Sequence, residues 1–364
     1  MTTQSNTTAS ILIRDRRVGT GWPVYVIAEL SANHHQDIGQ ALRLIRAAKE
    51  AGADAVKLQT YTPDTMTIAC DGEPFRIRGG TLWDGRLLHD LYAEAHTPWE
   101  WHGPLQSAAR ELGLDFFSTA FDSTAVDFLE SLNVPVHKIA SFELVDLPLI
   151  RKMAATGKPL ILSTGMASLG EIEEAVDAAR SAGCRQLALL KCTSAYPAPP
   201  EEMHLRTIPD LMARFQVPVG LSDHTMGTTA PVAAVALGAC VVEKHLTLSR
   251  ATPGPDAAFS LEPGEFTEMV RAIRSTEAAL GRVNYSSGGD EMKSRAFRRS
   301  LFVVEDVPAG TTLTANHVRS IRPSDGLPPR HYDEVLGRRA RQAIRRGTPL
   351  SWDLLTEEPK DHRP

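Results

Sequence analysis

Cysteine is scarce in this chain: Cys70, Cys184, Cys192 and Cys240 are scattered over 364 residues, without the short spacings that a zinc cage uses. Two of them fall in apolar, strand-like runs, which reads them as buried small hydrophobes rather than ligands. Long apolar runs are missing as well, and none approaches the roughly 20 residues that a membrane helix needs. The opening stretch MTTQSNTTASILIRDRR is polar and lacks the apolar core of a signal peptide. The expectation is therefore a cytoplasmic protein with no membrane partner. Lysine and arginine form no long run and the net charge is −5, which argues against nucleic acid as a partner. A GxxxxGK[ST] loop is absent too, so any phosphate site has to be assembled from separate segments.

What is present is a βα repeat. Short runs rich in β-branched residues recur at 24 to 30, 55 to 60, 115 to 120, 136 to 141, 159 to 164, 187 to 193, 217 to 224 and 241 to 247. Between them lie amphipathic stretches such as IGQALRLIRAAKEAGA and LGEIEEAVDAARSAGC, with apolar residues at helical spacing and a glycine near the end. Eight such strands suit a closed parallel (β/α)8 TIM barrel. The chain exceeds the roughly 250 residues of one barrel, so a small second domain is expected. We read residues 1–23 as an N-terminal extension, 24–282 as the barrel, 283–296 as a linker and 297–364 as the small domain. Residues 61–95 are a long insertion containing Pro63, Pro74, Gly79 and Gly80, which we expect to act as a partial lid.

In such a barrel the C-terminal ends of the strands surround the active site. Here those ends carry Glu29, Lys57 with Gln59, Ser118 with Thr119, Lys138 with Ser141, Ser163 with Thr164, Thr193 with Ser194, Ser222 with His224, and Glu243 with His245. Each alone is readily a satisfied polar residue at a strand end. Two lysines and several hydroxyls aimed into one mouth suit a multiply charged phosphate, which needs many donors. His224 and His245 close the seventh and eighth strands, so two imidazoles can converge on one divalent metal, with Glu or water completing it. A Schiff-base aldolase using Lys57 or Lys138 is a rival on these residues alone. Trp83, Trp99, Trp101 and Tyr92 read as packing residues, His34 and His35 as a solvated loop, and Arg298 and Arg299 as linker charges.

The motifs AELSANH at 28 to 34, KLQTYTPDTMT at 57 to 67, GTLWDG at 80 to 85 and TPWEWH at 97 to 102 resemble the sialic acid synthase family. So do KIASFELVD at 138 to 146, ILSTGMA at 161 to 167, KCTSAYP at 191 to 197, GLSDHT at 220 to 225 and EKHLTL at 243 to 248. The resemblance runs from about residue 24 to 355 and takes in RSLFVVEDVPAGTTLT and IRPSDGLPP. It implies a small C-terminal antifreeze-like (SAF) domain, similar to type III antifreeze protein, and a homodimer that exchanges those domains. It also implies condensation of phosphoenolpyruvate with an acetamido-sugar aldehyde. By this resemblance Lys57, Thr119, Lys138, Ser141, Ser163, Ser194 and Ser222 hold phosphoenolpyruvate, and His224 and His245 bind Mn2+ or Mg2+. Glu29, Gln59, Glu143, Tyr196 and Asp256 face the sugar, and Arg322 reaches it from the partner chain; Glu29 or Glu143 handles protons. The neuraminic acid branch reads K-H-Q, K-I-G-S-G-E and H-C-T-N where this chain has KLQ, KIASFE and KCTS. Those differences imply a trideoxy diacetamido altrose aldehyde rather than N-acetylmannosamine.

Overall fold

A computed structural model describes residues 9–285 and 288–356. The chain divides into two compact units, the first ending at Gly281 and the second beginning at Arg282. The first unit opens with an antiparallel pair, β1 (Ser10–Ile13) and β2 (Arg16–Gly19). Eight strands then close a parallel barrel: β3 (Tyr25–Glu29), β4 (Ala55–Thr60), β5 (Asp115–Ala120), β6 (His137–Ile139), β7 (Leu160–Ser163), β8 (Leu187–Cys192), β9 (Val219–Asp223) and β10 (Val241–His245). β10 pairs with both β9 and β3, which shuts the ring. All eight expected runs are strands of this barrel.

The register aligns the functional ends. Glu29 of β3 stands beside Lys57 of β4 and His245 of β10. Lys57 in turn neighbours Phe117, and Gln59 neighbours Thr119. The helices between strands are locally encoded. Asp37 caps Ile38–Glu50 by accepting from the Gly39 amide, and Ser168 with Glu171 forms a capping box on Leu169–Ser181. After these helices Gly52 and Gly183 take φ of 88° and 98°, the left-handed backbone that glycine supplies without a Cβ penalty.

The stretch read as a polar extension behaves differently from that reading over residues 10–19. Ile11, Ile13 and Val18 are buried in one core with Tyr25, Ile27 and Phe117. The hairpin is tied to strand starts: Arg16 pairs with Asp54, Arg14 with Asp115 at 3.3 Å, and the Leu12 amide donates to Gln186 Oε1 at 2.6 Å. It therefore closes the N-terminal end of the barrel, opposite the catalytic end. Only four residues per strand carry this signal, too few for a periodicity to stand out.

In the second unit, β11 (Ser300–Val303) pairs antiparallel with β12 (Val318–Ile321). Leu301, Val303, Val307, Leu313, Val318, Val335, Ile344 and Leu350 form its own small core. Cys184, Cys192 and Cys240 are buried free thiols, as expected, and Cys70 is half-buried. No helix among the described residues is long and apolar enough to cross a membrane.

Candidate active site

The ends of β3, β4, β5 and β10 build one charged cluster. Lys57 donates to Thr119 Oγ1 at 2.9 Å, forms an ion pair with Glu29, and lies 3.5 Å from Glu243 Oε1. All four side chains are buried. Burial lowers the lysine's pKa, but Glu243 and Glu29 more than offset this and leave it raised, so it stays an ammonium. The two carboxylates share that cation unequally. Burial lifts Glu29 to about 7 against the pull of Lys57. Glu243 is also penalised by burial, but Lys57, Lys138 and His224 together bring it below the ordinary carboxylate range. Glu243 is thus the standing counter-ion, and Glu29 is poised to exchange a proton near neutrality. Glu243 shares a strand face with His245 on β10, and that alternation is the signal in the sequence for its place in the site.

A second cluster lies across β6, β7 and β8. Lys138 donates to Ser163 Oγ at 2.6 Å and to the Ile139 carbonyl at 2.7 Å, and burial lowers its pKa. The Gly165 amide donates to Ser141 Oγ at 3.0 Å. A Cβ on Gly165 would stand 2.3 Å from Ser194 Oγ and 2.6 Å from Ser141 Oγ, so only glycine lets the two hydroxyls and this amide converge. Donors gathered in this way, with a lysine beside them, make a cradle for an oxyanion.

The imidazoles complete the mouth. The His224 and His245 rings are 5.4 Å apart. His224 donates from Nδ1 to the Thr193 carbonyl at 2.9 Å, which leaves Nε2 with its lone pair outward. His245 Nδ1 is buried without a partner, and burial followed by the proximity of His224 lowers its pKa. Burial also pulls His224 down, but Cys192 and the Thr193 carbonyl carry it above the ordinary value. The Cys192 thiol lies 3.9 Å from His224 Nδ1. Burial pushes that thiol up, yet His224 outweighs it and brings it to about 7. An orphaned imidazole nitrogen beside a second, oriented imidazole fits a divalent ion. Among the described residues no group of three His, Cys, Asp or Glu surrounds such a point, so of the two completions expected, Glu or water, this arrangement suits water. Water or substrate oxygens remain to fill the other positions.

Polar and aromatic groups line the other side. Gln59 donates to Ser31 Oγ at 2.9 Å, and Ser31 Oγ bonds Asp256; burial raises the Asp256 pKa. Ser222 Oγ donates to Glu243 Oε1 at 3.3 Å. The Tyr196 ring lies 4.5 Å from His224, 5.1 Å from Phe259 and 5.7 Å from Trp83. Glu143 follows β6 in a 3-10 turn, and burial raises it to about 7.

The aromatic and basic residues outside the strand ends have definite places. Trp83 packs as expected, 5.7 Å from the Tyr196 ring, and its Nε1 donates to the Pro255 carbonyl at 3.1 Å, which brings the 61–95 insertion across to Tyr196 and the Asp256 segment. His34 is buried against Trp101 and bonded to Thr97 Oγ1 at 3.1 Å, not solvated. Arg298 and Arg299 line a surface cavity of about 680 Å³ in the second unit together with Phe297 and Arg322. Trp99 does pack as expected, against Phe128 at 4.6 Å. Arg322 lies in the second unit, where it is exposed.

Residues 44–285 match the model of the NeuB family. The chain belongs to the NeuB family. Residues 298–356 match the SAF domain, the small domain that the sequence resemblance implied. The chain is 46% identical over 332 residues to pseudaminic acid synthase from Helicobacter pylori, covering 91% of this chain and 97% of that protein. It is 45% identical over 327 residues to pseudaminic acid synthase from Campylobacter jejuni serotype O:23/36, covering 90% and 95%. Among solved structures, the N-acetylneuraminic acid synthetase of Leptospira borgpetersenii superposes with a TM-score of 0.71 at 29% identity, covering 80% of this chain and 96% of that one. The NeuB match spans both lysine clusters from Lys57 onward and both imidazoles; only Glu29 of the barrel candidates precedes it.

Proposed function

We propose that this chain is a pseudaminic acid synthase that condenses phosphoenolpyruvate, a trideoxy diacetamido altrose aldehyde and water into pseudaminic acid and inorganic phosphate. The observation that carries the reading is the meeting of Lys57 and Lys138, each held by hydroxyls, with an open imidazole pair in one barrel mouth. Two separated ammonium groups match the carboxylate and phosphate of phosphoenolpyruvate, and the Gly165 cradle supplies neutral donors between them. The likeness to two pseudaminic acid synthases, together with the KLQ, KIASFE and KCTS segments, favours the diacetamido sugar over that of a neuraminate or legionaminate synthase.

The bond changes define what the residues must do. The phosphoenolpyruvate methylene forms a bond to the aldehyde carbon, water adds to the carbon that bore the phosphate, and the carbon–oxygen bond to phosphate breaks. What a divalent ion supplies when held by His224 and His245 is Lewis acidity at the aldehyde oxygen. Lys138 with Ser163, Ser141 and Ser194 holds the departing phosphate, the Gly165 amide orienting Ser141, and Lys57 with Thr119 and Ser222 holds the carboxylate end. Glu29, lifted to about 7 and ion-paired with Lys57, takes or returns the proton of the attacking water or new hydroxyl. Glu143, also near 7, is the second candidate for that proton. Gln59, Tyr196 and Asp256 bind the sugar's polar groups. A dimer that exchanges SAF domains would bring Arg322 of a second copy to the sugar.

The test is mass spectrometry of the product formed from phosphoenolpyruvate and a panel of acetamido sugars. The trideoxy diacetamido altrose should give the condensate with the highest kcat/KM; a preference for N-acetylmannosamine would move the chain to another branch of the family.

A further inference from the structure

Directly behind the two imidazoles lies a pair of charges that the proposed chemistry does not use. Lys244 Nζ meets Asp223 Oδ2 at 2.6 Å, and both side chains are 0% exposed. The residues are register partners on β9 and β10, one position along from the Ser222 and Glu243 pair that faces the mouth. Because side chains alternate across a strand, Asp223 and Lys244 stand on the reverse side of the strands from His245 and Ser222. Their remaining bonds all go to one residue. Asp223 Oδ1 accepts from the Thr225 amide at 3.0 Å, and Asp223 Oδ2 accepts from Thr225 Oγ1 at 3.2 Å. Lys244 Nζ donates to the Thr225 carbonyl. His224 is therefore fixed from both sides, by Asp223 before it and Thr225 after it, and the clasp is anchored on the residue next to His245.

Burying two full charges is costly, and well-packed apolar residues of similar volume often stabilise a fold as well or better. A pair kept at this place is accounted for by geometry: it ties the exit of β9 to the end of β10 and so sets the separation of the two rings. Resting on the metal reading above, we propose that Asp223 and Lys244 are positioning residues whose buried clasp holds His224 and His245 at the spacing a divalent ion requires. Neither touches substrate or ion. Supporting residues of this kind commonly change metal affinity by ten- to a hundredfold.

The test measures binding of manganese alone to the full chain, by the loss of the free-ion paramagnetic resonance signal, alongside thermal unfolding. The double variant Asp223→Asn/Lys244→Met keeps shape and removes both charges together, so no uncompensated charge is buried. It should fold, and its manganese dissociation constant should rise at least tenfold. Should the double variant fail to fold, Thr225→Val removes the hydroxyl contact to Asp223 while leaving the ion pair intact, so no unpaired charge is buried, and a rise of threefold or more is expected. A folded variant that binds manganese within twofold of wild type overturns the clasp, provided that His224→Ala abolishes binding. If wild type binds no better than His224→Ala, the metal site itself is refuted, and the clasp with it.

Discussion

Gly165 shows how much a single missing atom can decide. Its amide reaches Ser141 Oγ at 3.0 Å, and an added Cβ would fall 2.3 Å from Ser194 Oγ, far inside van der Waals contact. Gly165→Ala must push both hydroxyls out of the cradle, and displacements near 1 Å at a reacting group cost on the order of a hundredfold in rate. We expect kcat/KM for phosphoenolpyruvate to fall by about that factor in steady-state assays, with little change in the melting temperature. The lysines, hydroxyls and imidazoles of this site were legible as residues because strand ends in a barrel have a known destination. The division of labour between Glu29 and Glu243 was not. It depends on Lys57, Lys138 and His224 together lowering Glu243 while burial and the neighbouring Glu243 raise Glu29, an arrangement in space that no spacing along the chain encodes. His34 illustrates the same limit, since its burial is set by Thr97 and Trp101, more than sixty positions away.

At the scale of elements, strand positions were read almost to the residue because β-branched runs ended by polar residues repeat eight times. The hairpin at residues 10–19 escaped because two four-residue strands with charged neighbours look like a tail until Asp54, Asp115 and Gln186 give them partners. The 61–95 segment was legible as an insertion by its length, but its contact point was not. Trp83 reaches Pro255 and lies 5.7 Å from Tyr196, so the insertion forms an aromatic wall on the side where the sugar is proposed to sit. Trp83→Ala removes that wall and the hydrogen bond together, while both lysine clusters keep their partners. The KM for the sugar should rise about tenfold, consistent with losing ~1.5 kcal/mol of contact, with the KM for phosphoenolpyruvate nearly unchanged. Equal increases in both constants would place Trp83 in general lid closure instead of sugar contact.

For the whole molecule, the barrel and the SAF domain are two units with separate cores, and the sequence change near residue 282 already separated them. Arg322 belongs to the second, so its proposed part in a partner's site is a claim about assembly. Losing a charged hydrogen bond of this kind costs roughly 1.5–3 kcal/mol, and Arg322→Ala should weaken sugar use about ten- to a hundredfold. Mixing Arg322→Ala chains with His224→Ala chains should, after subunit exchange, restore activity through mixed dimers that hold one intact site. Verified exchange without recovery would put Arg322 to work within its own chain. The most direct test of the whole account follows the bridging oxygen. Phosphoenolpyruvate labelled at the oxygen between carbon and phosphorus, turned over with the trideoxy diacetamido altrose and analysed by mass spectrometry, should deliver the label into inorganic phosphate. Label retained in the sugar acid would mean phosphorus–oxygen cleavage and would contradict water attack at the carbon held between the two lysine clusters.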